Sequence, residues 1–192
     1  MISRGEEKRA ALSQPAAEET PLRSMIYASL FAALTAAGAY LFVPIGPVPI
    51  VLQNMFVFLA GLLLGSRWGL ASVAVYLLAG ICGLPVFAGG TGGIGRIAGP
   101  TGGFLLGYLP VVFLVGWVAE RKPGRMFLDV AAMLLGAAVL YACGVPWLAM
   151  VTGMPFVKAL AVGMYPFLLG DGIKIAAAAL IAQSVRPIMR RS

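Results

Sequence analysis

Histidine is absent from the sequence, cysteine occurs twice, and only seven residues are acidic. The first absence removes the serine–histidine–aspartate triad and every histidine metal site. Cys82 and Cys143 stand singly inside apolar runs, without the spacing of a zinc site, and are expected to be free, buried thiols. No G-x-x-x-x-G-K-[ST] occurs, which excludes ATP hydrolysis by a P-loop in this chain. Charge is scarce altogether, at 11% of residues against 60% hydrophobic. With a mean hydropathy of +0.95, a soluble domain is excluded as well. The apolar runs are apolar all round, without the polar faces of amphipathic helices.

The net charge of +7 comes from basic residues scattered singly between apolar segments. They form no stripe or cluster, so nucleic acid is not a partner. A helix needs about 20 apolar residues to cross about 30 Å of hydrocarbon. That length predicts six spans, near Met25–Val43, Ile50–Leu64, Trp68–Leu84, Gly103–Ala119, Phe127–Val151 and Pro166–Val185, the second of them short. Proline and glycine punctuate every break between them, as in "PIGPVP", "GSRWG" and "ERKPGR". Pro166 suits the first turn of the last helix, where a missing donor costs nothing. Residues 158–163 are then a short surface helix or loop.

The expected fold is an all-α integral membrane protein with six transmembrane helices. Residues 1–24 form a polar tail, residues 25–188 the membrane domain and residues 189–192 a basic C-terminus. Lysine and arginine favour cytoplasmic loops. Placing the N-terminus inside puts Arg4, Lys8, Arg9, Arg23, Arg67, Arg121, Lys122, Arg125, Arg186, Arg190 and Arg191 on the cytoplasmic side, and only Arg96 and Lys158 outside. Both termini are therefore expected in the cytoplasm.

A charged side chain at the centre of a span costs about 2.5–3.5 kcal/mol on insertion scales, so it normally faces a cavity and a partner. Of the seven acids, only Asp171 is expected inside the membrane, with Asp129 at the cytoplasmic edge. In "PFLLGDGIKIAAAAL", Asp171 and Lys174 share one helical face near the outer end of the last span. A mutual ion pair would explain them; so would a ligand, which the flanking Gly170 and Gly172 leave room to approach. Gln53 and Asn54 open the second span, offering both donors and acceptors. They cap loop carbonyls or face a guest.

These groups fall on the outer side together with the glycine-rich "FAGGTGGIGRIAGPTGGF", residues 87–104. Non-helical backbone at membrane depth is tolerated only where it is buried or lines a wet cavity. The segment therefore reads as a wall or lid of an outward-facing pocket, with Thr101 the expected N-cap of the fourth span. No comparable polar set is expected on the inner side. "GTGGIG" matches the dinucleotide fingerprint only in letters, since no strand precedes it. A lone buried acid without a second carboxylate or a nucleophile does not make an enzyme. In the first span Ala28, Ala32 and Ala36 recur every fourth residue, with Ser29, Ala33 and Ala37 alongside. Such a strip packs closely against another helix, of this chain or of a partner.

The motifs "PVPIVLQN", "GLPVFAGGTGGIGRIAGPTGGFLLGY" and "GDGIK" together resemble the BioY family, the biotin-binding S components of energy-coupling factor transporters. The likeness spans residues 25–185. It implies an S-component fold and capture of biotin from the outer side. It also implies work with a transmembrane T component and two ABC-type ATPase subunits, without a cofactor. The family's ligand-binding acid and lysine fall on Asp171 and Lys174. Its outer loop and glycine segment fall on Gln53, Asn54, Gly89, Gly90, Thr91, Gly92 and Gly93. Some relatives carry arginine where this chain has Thr91, a place Arg96 is available to fill.

The ureido ring of biotin offers two N–H donors and a carbonyl, matching Asp171 and Asn54, and its valerate needs a cation, Lys174 or Arg96. Phe87, Phe104 and Tyr108 are candidates for the apolar lining. The family's contact with the T component falls on Ala28, Ala32 and Ala36. Two other readings fit the residues: an S component for a different vitamin, and a structural or assembly membrane protein whose polar groups only lock helices together.

Overall fold

The computed structural model describes residues 21–191, with the side chains of residues 190 and 191 left out. Of the expected polar tail, residues 1–20 lie outside the described residues. The chain runs α1 (Pro21–Tyr40), β1 (Phe42–Val43), β2 (Ile50–Val51), α2 (Gln53–Ile81), α3 (Ile94–Ala98), α4 (Gly102–Arg121), α5 (Met126–Thr152), α6 (Phe156–Gly163) and α7 (Tyr165–Arg191). Among the described residues, five helical stretches are long and apolar enough to cross a membrane. The sixth span comes from a break inside α2.

That break is Gly65, whose φ of 79° and ψ of −172° only glycine adopts readily. Beyond it the chain doubles back. A β-carbon on Gly69 would stand 3.2 Å from the Ala60 carbonyl, although a straight helix would separate those residues by about 13 Å. Residues 53–64 and 66–81 are thus two spans joined by a tight turn, as "GSRWG" predicts. The amide exposed at the turn is capped from α4: Glu120 Oε1 accepts from the Ser66 N–H at 2.7 Å, and Ser66 Oγ donates to Oε2 at 2.9 Å. A carboxylate at a helix N-terminus is also favoured by the helix dipole.

Small residues bring α2 and α4 together. β-carbons on Gly61 and Gly116 would stand 3.0 Å from the Val112 carbonyl and 2.4 Å from the Gly65 backbone. In lipid, where apolar side chains gain nothing by leaving the solvent, such close packing is what holds helices together. Val57, Phe58, Val111, Val112 and Val115 are fully buried in this seam, whereas Leu30, Val75, Leu134 and Leu180 point outward.

Several expectations change. The outer helices run past their predicted bounds, α1 starting at Pro21 and α7 continuing to Arg191, because the polar flanks keep helical geometry at the membrane surface. Residues 156–163 form the short helix α6. Cys82 and Cys143 are exposed and not buried. In α1, Ala28 and Ala32 are buried and Ala36 half-buried against the chain's own core. Their strip is therefore an internal packing surface, and it is the neighbouring Ser29, Ala33 and Ala37 that stay exposed.

Candidate ligand-binding site

At the end of the bundle where α1 leads into α2, residues 41–52 make a small antiparallel hairpin, pairing Phe42 with Val51 and Val43 with Ile50. It folds over the start of α2 and buries Val48. The glycine segment lies beside it. Tyr40 of α1 donates its hydroxyl to the Pro85 carbonyl, and the Phe87 amide pairs with the Thr91 carbonyl at 2.9 Å to close a tight turn. Beneath hairpin and turn is a cavity, and its walls hold Gln53, Asn54, Phe87, Arg96, Phe104, Tyr108, Asp171 and Lys174, all expected from sequence.

The carboxylate of Asp171 is the hub. Asn54 Nδ2 donates to its Oδ1 at 2.7 Å and Lys174 Nζ to the same oxygen at 3.0 Å, while the Tyr141 hydroxyl donates to Oδ2. Asn54, Asp171 and Lys174 are all at least nine-tenths buried. The ion pair expected from the i,i+3 spacing therefore exists, but it is part of a larger network drawn from α2, α5 and α7. Because Asn54 spends its NH2 on the carboxylate, its Oδ1 faces elsewhere. That oxygen is buried without a hydrogen-bond partner, and so are Gln53 Nε2 and the Tyr76 hydroxyl, which lie beside each other. Each such atom costs about 1–3 kcal/mol if left unmet.

Arg96 is differently placed. Its Nε donates to Thr91 Oγ1 at 2.8 Å and its Nη2 to the Ala88 carbonyl at 3.0 Å. Both acceptors are neutral, and among the described residues no carboxylate lies within ion-pair reach of Arg96. The Thr91 hydroxyl and the Ala88 carbonyl thus fix the Arg96 guanidinium from the turn. The charged groups on the cavity wall sum to +1: Asp171 against Lys174 and Arg96.

The glycines expected as ligand contacts do not line the cavity. Gly89, Gly90 and Gly93 have φ of 75°, 67° and 90°, so they serve the turn. Gly89 lies against the Phe42 ring and Gly90 against Tyr40, while a β-carbon on Gly92 would come within 2.3 Å of the Leu84 carbonyl. Thr91 likewise is not on the wall, and its hydroxyl accepts from Arg96. Thr101 stands at the start of α4 but makes no side-chain cap; it lines the cavity.

Sequence reading missed Tyr141, Leu105, Leu140 and Phe167 on the cavity wall. The hydrophobic three carry no signal within spans already rich in such residues, but Tyr141 is the one hydroxyl-bearing aromatic within the fifth span. Phe87 is wedged edge-on against Tyr76, with ring centroids 5.6 Å apart. Asp129, expected at the edge of a span, stands in the first turn of α5. Asp129 is 1% exposed, gripped by Arg186 at 3.0 and 3.3 Å, and Arg186 donates further to the Leu62 carbonyl at 3.2 Å. The end of the bundle away from the cavity therefore has a polar set of its own, which was not expected.

A bundle of helices long and apolar enough to cross a membrane, with a cavity lined by buried polar and aromatic side chains, defines a multi-pass membrane protein and raises the question of what those polar groups meet. The BioY family model matches residues 8–191, and the chain belongs to that family. It is 41% identical over 167 residues to the biotin transporter BioY of Thermotoga maritima, covering 87% of this chain and 98% of that one. The biotin transporter BioY of Rhizobium etli is 40% identical over 174 residues, covering 85% of this chain and 92% of its own. Among solved structures, the crystal structure of the S-component for biotin from an ECF-type ABC transporter superposes with a TM-score of 0.82. It is 28% identical and covers 97% of this chain and 95% of that one. The chain is accordingly a cell-membrane protein with the S-component fold.

Proposed function

We propose that this chain captures biotin in the cavity beneath the hairpin and delivers it for uptake as the substrate-binding subunit of an energy-coupling factor transporter. The observation that carries this reading is the unspent polarity of the wall. A guanidinium without a carboxylate calls for an anion. An amide oxygen and an amide N–H without partners call for a donor and an acceptor on the same guest. Aromatic and aliphatic side chains between them call for an apolar middle. Biotin has those three parts in one molecule.

In this arrangement Arg96 meets the valerate carboxylate. Lys174 is engaged by Asp171 and serves the ureido end, where Asn54 Oδ1 accepts a ring N–H and Gln53 Nε2 donates to the ring carbonyl. The hairpin and the glycine turn form the roof, and both termini lie in the cytoplasm, supported by the surplus of arginine and lysine at the opposite end. A T component and two ATPases complete the transporter. The exposed strip Ser29, Ala33 and Ala37 is the smooth surface α1 offers such a helical partner.

The test pairs a mutation with a ligand. Arg96→Ala is expected to weaken biotin binding by about 1.5–3 kcal/mol, the worth of a hydrogen-bonded charge, measured by titration in detergent. Biotin methyl ester, which lacks the anion, should bind the native protein as weakly as biotin binds the variant, and the variant should not distinguish the two ligands. If the native protein binds ester and acid alike, Arg96 is not the valerate partner. Absence of any biotin-dependent rise in melting temperature would favour a structural protein instead.

A further inference from the structure

A second cavity, of about 380 Å³, opens at the opposite end of the bundle between α1, the turn inside α2, and the ends of α4 and α7. Its size is that of a small-molecule site. Arg23, Arg67 and Arg186 face it, with Glu120 and the aromatic rings of Tyr27 and Trp68. Both carboxylate oxygens of Glu120 accept from Ser66, a neutral partner, so its charge stays on the wall and the charged groups there sum to +2: Arg23, Arg67 and Arg186 against Glu120. Arg186 is spent on Asp129 and on the Leu62 carbonyl.

Arg23 and Arg67 are not. Among the described residues neither reaches a carboxylate. The Arg23 guanidinium is nevertheless held in place, donating to the Met189 carbonyl and lying 5.4 Å from the centre of the Tyr27 ring. Arg67 stands exposed at the mouth. Just beside them on α1, Leu22 and Ile26 are 67% and 58% exposed, offering apolar surface to an acyl chain. A fixed arginine, a free one, interfacial aromatics and an adjoining greasy flank form the pattern that recognises the phosphate of an anionic lipid.

We propose that this cavity binds the phosphodiester headgroup of an anionic phospholipid, through Arg23 and Arg67, with the acyl chains against Leu22 and Ile26, in the turns of α1 that precede the strip Ser29, Ala33 and Ala37. The site is separate from the vitamin cavity and does not depend on what that cavity holds. It gives the inner end a lipid-dependent anchor, joining α1 to the turn of α2 and the end of α7.

The test uses the full chain, stripped of lipid in detergent and offered phosphatidylglycerol, phosphatidylcholine or inorganic phosphate. Lipid retention is read by native mass spectrometry and stability by thermal unfolding. Phosphatidylglycerol should be retained and should raise the melting temperature, whereas phosphatidylcholine and inorganic phosphate should not. The double variant Arg23→Ala/Arg67→Ala should unfold cooperatively without lipid and retain phosphatidylglycerol about 30-fold less tightly. Lys122→Ala/Arg125→Ala removes the same charge outside the cavity and should change retention little. Equal loss in the two double variants, or equal retention of the two lipids, overturns the proposal. A full thermal shift with inorganic phosphate alone overturns the lipid as the source of the phosphate.

Discussion

The two buried aspartates, one at each end of the bundle, meet cations from the same helix and yet do different work. At the end away from the hairpin Asp129 of α5 takes two hydrogen bonds from Arg186 of α7, and the same guanidinium finishes on a backbone carbonyl of α2. Within that network donors and acceptors are matched. At the hairpin end Asp171 is also paired with a cation of α7, but the Asn54 amide oxygen and the neighbouring Gln53 amide nitrogen stay unmet beside a cavity. A closed network locks helices, and an open one waits for a guest. The number of acids and bases is the same in both; what differs is whether any polar atom remains unspent.

The largest expected effect tests the closed side. Arg186→Ala leaves Asp129 charged and buried without compensation, which costs about 3–5 kcal/mol. Thermal unfolding in detergent should show a large fall in melting temperature, much of it regained in Asp129→Asn/Arg186→Ala, where no bare charge remains. Biotin affinity per folded molecule should be unchanged, since neither residue touches the upper cavity. A selective loss of affinity with stability intact would abolish the distinction between the two aspartates.

Asp171→Asn tests the open side and should act in the opposite sense. It removes the charge that Lys174 faces and turns an acceptor of three donors into a group that must itself donate. The cost of breaking a buried, hydrogen-bonded charge pair is about 2–5 kcal/mol, here expected to fall on biotin affinity as a loss of at least about 30-fold. Titration against the native protein reads it directly. Unaltered affinity would make Asp171 another lock.

The positions of the spans were legible because lipid imposes a length and proline and glycine punctuate it; even the tight turn at Gly65 stands out as "GSRWG". The outer polar set was legible for a related reason, that Gln53, Asn54, Asp171 and Lys174 are rare groups at membrane depth. The way they divide their hydrogen bonds was not. Nothing in the order of residues tells that Arg96 is steadied by Thr91, or that Lys174 is engaged and Arg96 left over. Small residues misled in a similar way. Ala28 and Ser29 begin strips one residue apart, and only the packing of α1 on α2 decides which is buried. Asp129 and Arg186 lie 57 positions apart, and each reads alone as a surface charge at a span end.

Tyr141 supplies the finest test, because Tyr141→Phe keeps the ring on the cavity wall and deletes one proton. The hydroxyl is the donor to Asp171 Oδ2, while Oδ1 already receives Asn54 and Lys174. Without it the carboxylate keeps two of its three donors and its charge partner, so the network loosens and does not collapse. The expected outcome is a fall in stability of about 1.5 kcal/mol, the low end for a hydrogen bond to a charged group, and a drop in biotin affinity of about tenfold or less. The order of effects is itself informative. A tyrosine that orients the carboxylate should weaken binding less than loss of the carboxylate does, and its effect should vanish in an Asp171→Asn background. If the two substitutions add in full in a double-mutant cycle, Tyr141 contacts the guest on its own account, and the unspent polarity at this end extends one helix further around the cavity.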